Sequence, residues 1–227
     1  AFTFNAPGAY GGFGLLDNIA GLLGRAPSGF LDAGRQTNLV GDYIVSAVPG
    51  RRGETVRIFE ESDAHSQKSV VDALALYSVL GALDPNLKAG DVRDIVRASA
   101  NRDADSIESS LDGLRKIFLG PQIAATKPSG AEDTDSTREV FYQNAGELRQ
   151  SVTFQAWAGQ VSVVDLATRS AEEVISLARN DVSYRYALKE LNPFAITGAP
   201  GLYDQRNGDG ELAVYDPATG QGVLTSE

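Results

Sequence analysis

The hydrophobic pattern of this chain changes its period near residue 67, and that change limits the folds that the chain can adopt. Three short segments before it have the alternation or the apolar run of β-strands: residues 1–5 (AFTFN), 37–40 (TNLV) and 54–60 (ETVRIFE). Apolar residues then recur with the 3.6-residue period of an amphipathic helix, most clearly over residues 68–80. We therefore predict an α/β architecture, with the trailing part of a sheet followed by a mainly helical extension.

Helices are predicted throughout the second part of the chain. Their periodicity and the breakers beside them set the ranges 68–80, 91–98, 104–118, 137–150, 167–179 and 181–191. The stretch 126–136 (TKPSGAEDTDS) is polar, contains Pro and Gly and lacks an apolar anchor, which is typical of a linker. The predicted organisation is a sheet-containing domain over residues 1–125, a linker over 126–136 and a helical extension with a turn-rich tail over 137–227.

Composition excludes several classes of function. The formal net charge is −10, and an acidic chain repels phosphate backbones, so we expect no nucleic-acid partner. Cysteine is absent, which excludes disulfides, thiol chemistry and cysteine-built metal sites from this chain. No apolar run approaches the roughly 18 residues of a membrane span, so any contact with a membrane is expected at its surface.

The single histidine, His65, stands between the third predicted strand and the first strong helix. A lone histidine is often structural or merely solvated, but loops that follow strands in open α/β sheets are where reacting groups collect. Asp42 follows the second predicted strand, and from there it could orient the imidazole. An acid before a histidine on successive strand ends matches the order serine, acid, histidine of α/β-hydrolases. Asp63 ranks second for the acid because its neighbours are polar.

The nucleophile of such a triad is missing from the chain. No Gly-x-Ser-x-Gly sequence occurs, and no serine lies at an evident strand-to-helix elbow. In the chain order above the serine precedes residues 1–5, so we expect it upstream of Ala1, in the part of a larger protein that also supplies further strands. The chain alone is therefore predicted to be inactive.

Three segments resemble α/β-hydrolase lipases related to the class 3 lipases. Residues 2–8 (FTFNAPG) resemble the strand that follows the nucleophile helix, and residues 38–50 (NLVGDYIVSAVPG) resemble the acid loop. Residues 60–65 (EESDAH), followed by the helix over 66–80, resemble the histidine loop. The resemblance implies that the predicted sheet is the trailing part of an α/β-hydrolase sheet.

Two further segments, residues 185–195 (RYALKELNPFA) and 211–220 (ELAVYDPATG), are similar to parts of large bacterial lipase-like proteins that carry RTX calcium-binding repeats. The resemblance implies type I secretion, an extracellular location, dependence on calcium, and hydrolysis of a lipid or other carboxylic ester, phospholipids included. His65 would be the general base and Asp42 the residue that holds its tautomer. The chain departs from the family in lacking both the serine elbow and the RTX repeats.

A loop rich in glycine and aspartate near the C-terminus leaves two interpretations open. Residues 205–216 align with an EF-hand loop in which Asn207 and Asp209 take the third and fifth positions and Asp216 takes the twelfth. The first position is Gln205, however, and the last lacks the usual Glu. A hairpin turn at the Asn-Gly and Asp-Gly pairs is the alternative that we favour. No cofactor is expected for catalysis, and a structural Ca²⁺ is expected only if this loop binds it.

A non-catalytic function is the rival hypothesis. The chain would then be a helical scaffold or interaction domain of a large exported protein, and His65 would be incidental. In a weaker form of this hypothesis, apolar surface left uncovered by the absent strands binds a partner. The hypotheses differ in one distance, because catalysis needs the Asp42 and His65 side chains within hydrogen-bond reach, about 2.6–3.2 Å.

Overall fold

The structure is a computed structural model. It describes residues 2–3, 37–41, 54–59, 67–99, 106–128, 131–132, 134–204, 215–216 and 221–222. These residues form a mixed α/β structure that is mostly helical, with a short parallel sheet at its start and a two-stranded antiparallel sheet within the helical part. Among them, no helix has the length and apolarity that crossing a bilayer requires.

The three predicted strands form one parallel sheet. Strands β1 (Phe2–Thr3), β2 (Thr37–Gly41) and β3 (Glu54–Ile58) are adjacent in chain order. The register pairs Thr37 with Glu54 and Gly41 with Ile58, so β2 and β3 run side by side along their full length. The strand predictions are confirmed, and parallel pairing places the carboxyl ends of β2 and β3 at one edge of the sheet.

Eight helices follow in the part of the chain that the structure describes. They are α1 (Gln67–Leu83), α2 (Ala89–Ala98), α3 (Ser106–Leu119), α4 (Asp135–Gln150), α5 (Val152–Trp157), α6 (Ala171–Ala178), α7 (Val182–Glu190) and α8 (Pro200–Asp204). The six predicted helices are confirmed, with ends that differ by a few residues. The two short helices α5 and α8 were not predicted, since neither is long enough to show a period.

Helix α1 is the centre of the fold. Its Leu74, Leu76, Tyr77 and Val79 side chains are at most 5% exposed, although their spacing along the helix points them to different sides of it. A helix that is apolar nearly all round needs neighbours on every side. Helix α1 accordingly contacts β3 on one side and helices α3 and α4 on others.

The helical part contains an antiparallel strand pair, β4 (Ser162–Asp165) and β5 (Phe194–Thr197). By its sequence, the stretch 151–164 fits either a strand pair or a surface segment, and no strand is predicted at the position of β5. The partner strands are far apart in the chain, with Val163 paired to Ile196. The first three residues of β5 are buried, so this strand runs through the core rather than along the surface.

One hydrophobic core joins the parallel sheet to the helices on both sides of the predicted linker. It extends from Ile58 at the end of β3, through Phe118 of α3 and Phe141 of α4, to Phe194 of β5. The Phe118 and Phe154 rings meet edge to face, with their centroids 5.4 Å apart. A second, smaller cluster lies between α6, α7 and the β4–β5 pair.

The predicted linker is packed at its start and helical at its end. Thr126 is 1% exposed and Lys127 is 8% exposed. Helix α4 begins at Asp135 because the Thr134 hydroxyl accepts a hydrogen bond from the Thr137 amide, while the Thr137 hydroxyl accepts one from the Thr134 amide. The division of the chain into two domains stays a prediction.

Candidate functional site

The carboxyl edge of the parallel sheet is where the sequence-predicted acid and base are attached to the described structure. Gly41, the last residue of β2, is buried and pairs with Ile58, the last residue of β3. Asp42 comes directly after Gly41, and Phe59 comes directly after Ile58. Reactive groups in open parallel sheets collect at such an edge because the loops that leave neighbouring strands are held close together there.

Asp42 and His65 themselves lie outside the described residues, as does Asp63, the second candidate for the acid. Their pairing stays a prediction. What the structure describes are the elements on either side of the histidine loop, which we define as residues 60–66. The loop leaves β3 after Phe59 and ends where α1 begins.

A buried hydrogen bond ties the start of the histidine loop to the helix at its end. The backbone N–H of Phe59 donates to the hydroxyl of Tyr77, with 3.2 Å between nitrogen and oxygen. Phe59 is 6% exposed and Tyr77 is 1% exposed. Water therefore has little access to this contact, and the exit of β3 is fixed directly to α1.

An ion pair fixes α1 to α4. The Arg138 guanidinium donates from Nε and Nη2 to the two carboxylate oxygens of Asp72, at 2.7 and 2.6 Å, and the Tyr142 hydroxyl donates to the same carboxylate. The hydrogen bond with Asp72 raises the pKa of Arg138. Burial, followed by the hydrogen bond to Asp72, raises the pKa of Tyr142 well above its usual range. Both donors therefore keep their protons at neutral pH.

A second buried polar cluster lies between α3, α4 and the start of the predicted linker. The Asp112 carboxylate accepts from the Thr126 backbone amide at 2.8 Å and from Arg115 Nη1 at 2.8 Å. Arg115 Nη1 also donates to the backbone oxygen of Ala124, and Asn144 donates to the Thr126 hydroxyl. Its members bond chiefly to one another, which is the arrangement of a structural cluster rather than of a reactive one.

The end of α1 is held by a buried carboxylate. Asp84, which is 6% exposed, accepts from the backbone amides of Asn86 at 2.9 Å and of Val163 at 3.0 Å. The second bond reaches β4, so the carboxylate satisfies a strand amide as well as the turn after the helix. Helix α1 is thus fixed to β3, to α4 and to β4 at three points along its length.

The calcium interpretation is not decided by the described residues. Asn207 and Asp209 lie outside them. Asp216 lies in β6 (Tyr215–Asp216), which pairs antiparallel with β7 (Gln221–Gly222), and its side chain is not described. Within the described ranges, no three His, Asp or Glu side chains gather as a metal site would require. The structural Ca²⁺ stays a prediction.

Sequence reasoning placed Tyr77 only on the apolar face of the first helix and did not single out Asp72, Arg138 or Asp84. Periodicity shows that Tyr77 is buried but not where its hydroxyl points. A polar residue within an apolar helix face, such as Asp72 in VVDALAL, is the one local signal that a buried partner exists.

Comparison with protein-family models, with curated proteins and with solved structures finds no match to this chain.

Proposed function

We propose that this chain carries the acid and the base of a serine ester hydrolase with an α/β-hydrolase sheet, and that the serine is supplied by another segment. The observation that carries the proposal is the parallel pairing of β2 and β3. Their last residues, Gly41 and Ile58, are direct neighbours. Asp42 follows the first of them, and the histidine loop follows the second. An acid and a histidine that leave adjacent strand ends are the arrangement that this triad needs.

The roles of the two residues follow from their chemistry. His65 takes the proton of the attacking serine hydroxyl and later gives it to the leaving alcohol. Asp42 accepts a hydrogen bond from the other ring nitrogen, which fixes the tautomer and stabilises the imidazolium. The serine attacks the ester carbonyl, and backbone amides near it stabilise the oxyanion. Both the serine and those amides belong to the segment that supplies the nucleophile.

The substrate class and the setting belong to the same proposal. The resemblance of residues 185–195 and 211–220 to RTX lipase-like proteins supports a lipid or other carboxylic ester as substrate, phospholipids included, and an extracellular location. The absence of cysteine and the net charge of −10 are compatible with secretion and with calcium at sites such as Asn207, Asp209 and Asp216. The proposed partner is the segment that carries the serine, on the same or on a separate chain.

A non-catalytic scaffold is the second candidate, and the packing of the helical part favours it. Helices α1 to α5 share one core with β4 and β5, and the polar side chains at Asp72, Asp84 and Asp112 bond to other parts of the chain rather than to an open cleft. Such a body is suited to hold or present other segments. On this hypothesis, His65 and Asp42 do not interact.

The two candidates are separated by a nuclear magnetic resonance titration of His65, which is unambiguous because the chain has one histidine. A neighbouring carboxylate favours the charged imidazolium. We therefore expect the Asp42→Asn variant to lower the midpoint of the titration by about one pH unit. Asp63→Asn is the matched control, because it removes a carboxylate closer in sequence, and it should leave the midpoint almost unchanged. Equal midpoints in all three proteins would favour the scaffold.

Activity provides the second test. The purified chain should not hydrolyse a chromogenic ester, because it lacks the nucleophile. In a polypeptide that also carries the serine, we expect His65→Ala and Asp42→Asn each to lower kcat by about 10³-fold or more. The kcat of the Asp63→Asn variant should remain close to that of the unmodified protein. Turnover by the 227-residue chain alone would contradict the assignment of the nucleophile to another segment.

A further inference from the structure

Tyr77 carries a hydroxyl group that the packing of the core does not require. Its ring is among the largest fully buried side chains, at 1% exposure, and phenylalanine would fill the same space. A buried hydroxyl is unfavourable unless it is hydrogen-bonded. The bond that it accepts comes from the backbone N–H of Phe59. The hydroxyl therefore serves the backbone at the exit of β3.

The position of Phe59 explains why its amide needs a side-chain partner. Strand β3 ends at Ile58, and the ladder with β2 ends there too, at Gly41. Phe59 is the first residue beyond the ladder, yet it is buried, so neither a strand partner nor water can accept from its amide. The Tyr77 hydroxyl accepts this hydrogen bond in place of a strand carbonyl. It thereby fixes the backbone of Phe59, after which the histidine loop begins.

The same bond relates the two ends of the histidine loop. One end leaves from Phe59, and the other joins the first residue of α1, Gln67. Tyr77 belongs to α1, so its bond to Phe59 sets the distance between β3 and the helix that receives the loop. Asp72 within this helix and Asp84 just after its end reach α4 and β4 instead of the strand end. The Tyr77 bond instead leads to the end of β3.

We propose that Tyr77 is a positioning residue for His65, because it fixes the residue before the histidine loop to the helix after it. The role in catalysis depends on the ester-hydrolase function proposed above, whereas the effect on the loop does not. Proton transfer tolerates little misplacement of the base, since a shift of about 1 Å can cost on the order of 100-fold in rate. A hydrogen-bonded anchor at the start of the loop limits such shifts.

The test is Tyr77→Phe in the 227-residue chain, with Tyr203→Phe as the matched control. Tyr203 is equally buried and donates its hydroxyl to the backbone oxygen of Ile196 at 2.7 Å. Each variant removes the hydroxyl of a buried tyrosine that is hydrogen-bonded to the backbone. We expect Tyr77→Phe to move the ring resonances of His65 and to speed hydrogen exchange at the Phe59 amide by about tenfold or more. Tyr203→Phe should leave both signals as they are in the unmodified chain.

The fluorescence of the single tryptophan, Trp157, shows that each variant is folded before the resonances are compared. Unmoved His65 resonances in a folded Tyr77→Phe protein, or equal shifts in the two variants, would overturn the positioning role. The titration of Asp42→Asn is read independently. If Asp42→Asn does not change the His65 midpoint but Tyr77→Phe moves the His65 resonances, the pairing of Asp42 with His65 is contradicted. The positioning role of Tyr77 is then still supported.

Discussion

Asp72 of α1 forms the ion pair that joins this helix to α4. Its side chain is 9% exposed, and its two oxygens accept from Arg138 and Tyr142 on the neighbouring helix. A carboxylate this far from water is tolerated because its charge is paired and its oxygens are hydrogen-bonded. Removing one donor therefore costs more than the bond itself, since it leaves part of a buried charge without compensation.

We expect Arg138→Met to lower the free energy of unfolding by about 2–3 kcal/mol, because Asp72 then keeps Tyr142 as a donor but loses the guanidinium. Methionine keeps most of the apolar length of the arginine, which limits the loss of packing. The measurement is urea denaturation followed by Trp157 fluorescence. Arg169→Met is the control, because Arg169 is exposed and its Nε bonds only a backbone oxygen. That change should stay within about 0.5 kcal/mol.

For single residues, the sequence predicts which side chains are buried but not which groups they bond to. Tyr77 was placed on the buried face of its helix because its spacing from Leu74 and Leu80 is helical. Its bond to Phe59 depends on how β3 and α1 meet in space, which no local pattern specifies. Asp72 and Arg138 lie in different predicted domains, so their pairing could not be inferred from either segment alone. For Asp42 and His65, residue type and chain order supplied the prediction.

Two helical glycines show how the surroundings of a helix decide the effect of one substitution. A Cβ on Gly146 of α4 meets no atom within 4 Å, whereas a Cβ on Gly113 of α3 lies 2.9 Å from Asn192 Oδ1 and 3.2 Å from Phe194 Cζ. Glycine within a helix is destabilising relative to alanine because the unfolded chain has more freedom to lose. Only Gly113 has a reason to be glycine, which is the close approach of β5.

We expect Gly146→Ala to raise the free energy of unfolding by about 0.5–1 kcal/mol. Gly113→Ala should instead lower it by about 1–3 kcal/mol, since Asn192 and Phe194 must move and overpacking outweighs the helical preference. Thermal unfolding followed by circular dichroism measures both. A gain in stability from Gly113→Ala would mean that β5 does not pack against α3 as closely as the structure has it.

At the scale of elements, the sequence predicted long and periodic segments well. The helix over residues 68–80 is found as Gln67–Leu83, and the three early strands pair as a sheet. The β4–β5 pair was not resolved from the sequence because each strand has four residues and its partner is remote. The helix predicted over 167–179 begins later, at Ala171, because Ser170 and Glu173 form a capping box there.

At the scale of the whole molecule, the contacts bear on whether the chain folds as one unit or two. The sequence predicts a boundary at residues 126–136. Across this segment, Asp72 pairs with Arg138, Asn144 donates to Thr126, and Phe118 meets Phe154. Phe118 and Phe154 belong to one buried core, which contains residues from both sides of the segment. Domains joined by a solvated linker share few such contacts.

We therefore expect the two parts to stay together when the chain between them is cut. A protease site inserted between residues 128 and 134 allows the folded protein to be nicked, and the two fragments should elute as one complex and unfold in one transition. Each fragment has its own spectroscopic probe: the resonances of His65 report on the first fragment and the fluorescence of Trp157 on the second. The intact protein carrying the inserted site is the control.

The result of cleaving the chain between residues 128 and 134 also bears on function. If the fragments separate and each unfolds by itself, the boundary at 126–136 divides two folding units, and the helical extension is an appendage of the sheet. If they stay together and the His65 resonances are unchanged, the extension is part of the body that supports α1. Since α1 receives the histidine loop, loss of the second fragment should then shift the His65 resonances even though no residue of that fragment adjoins His65 in sequence. The extension would thus be needed for the position of the proposed base.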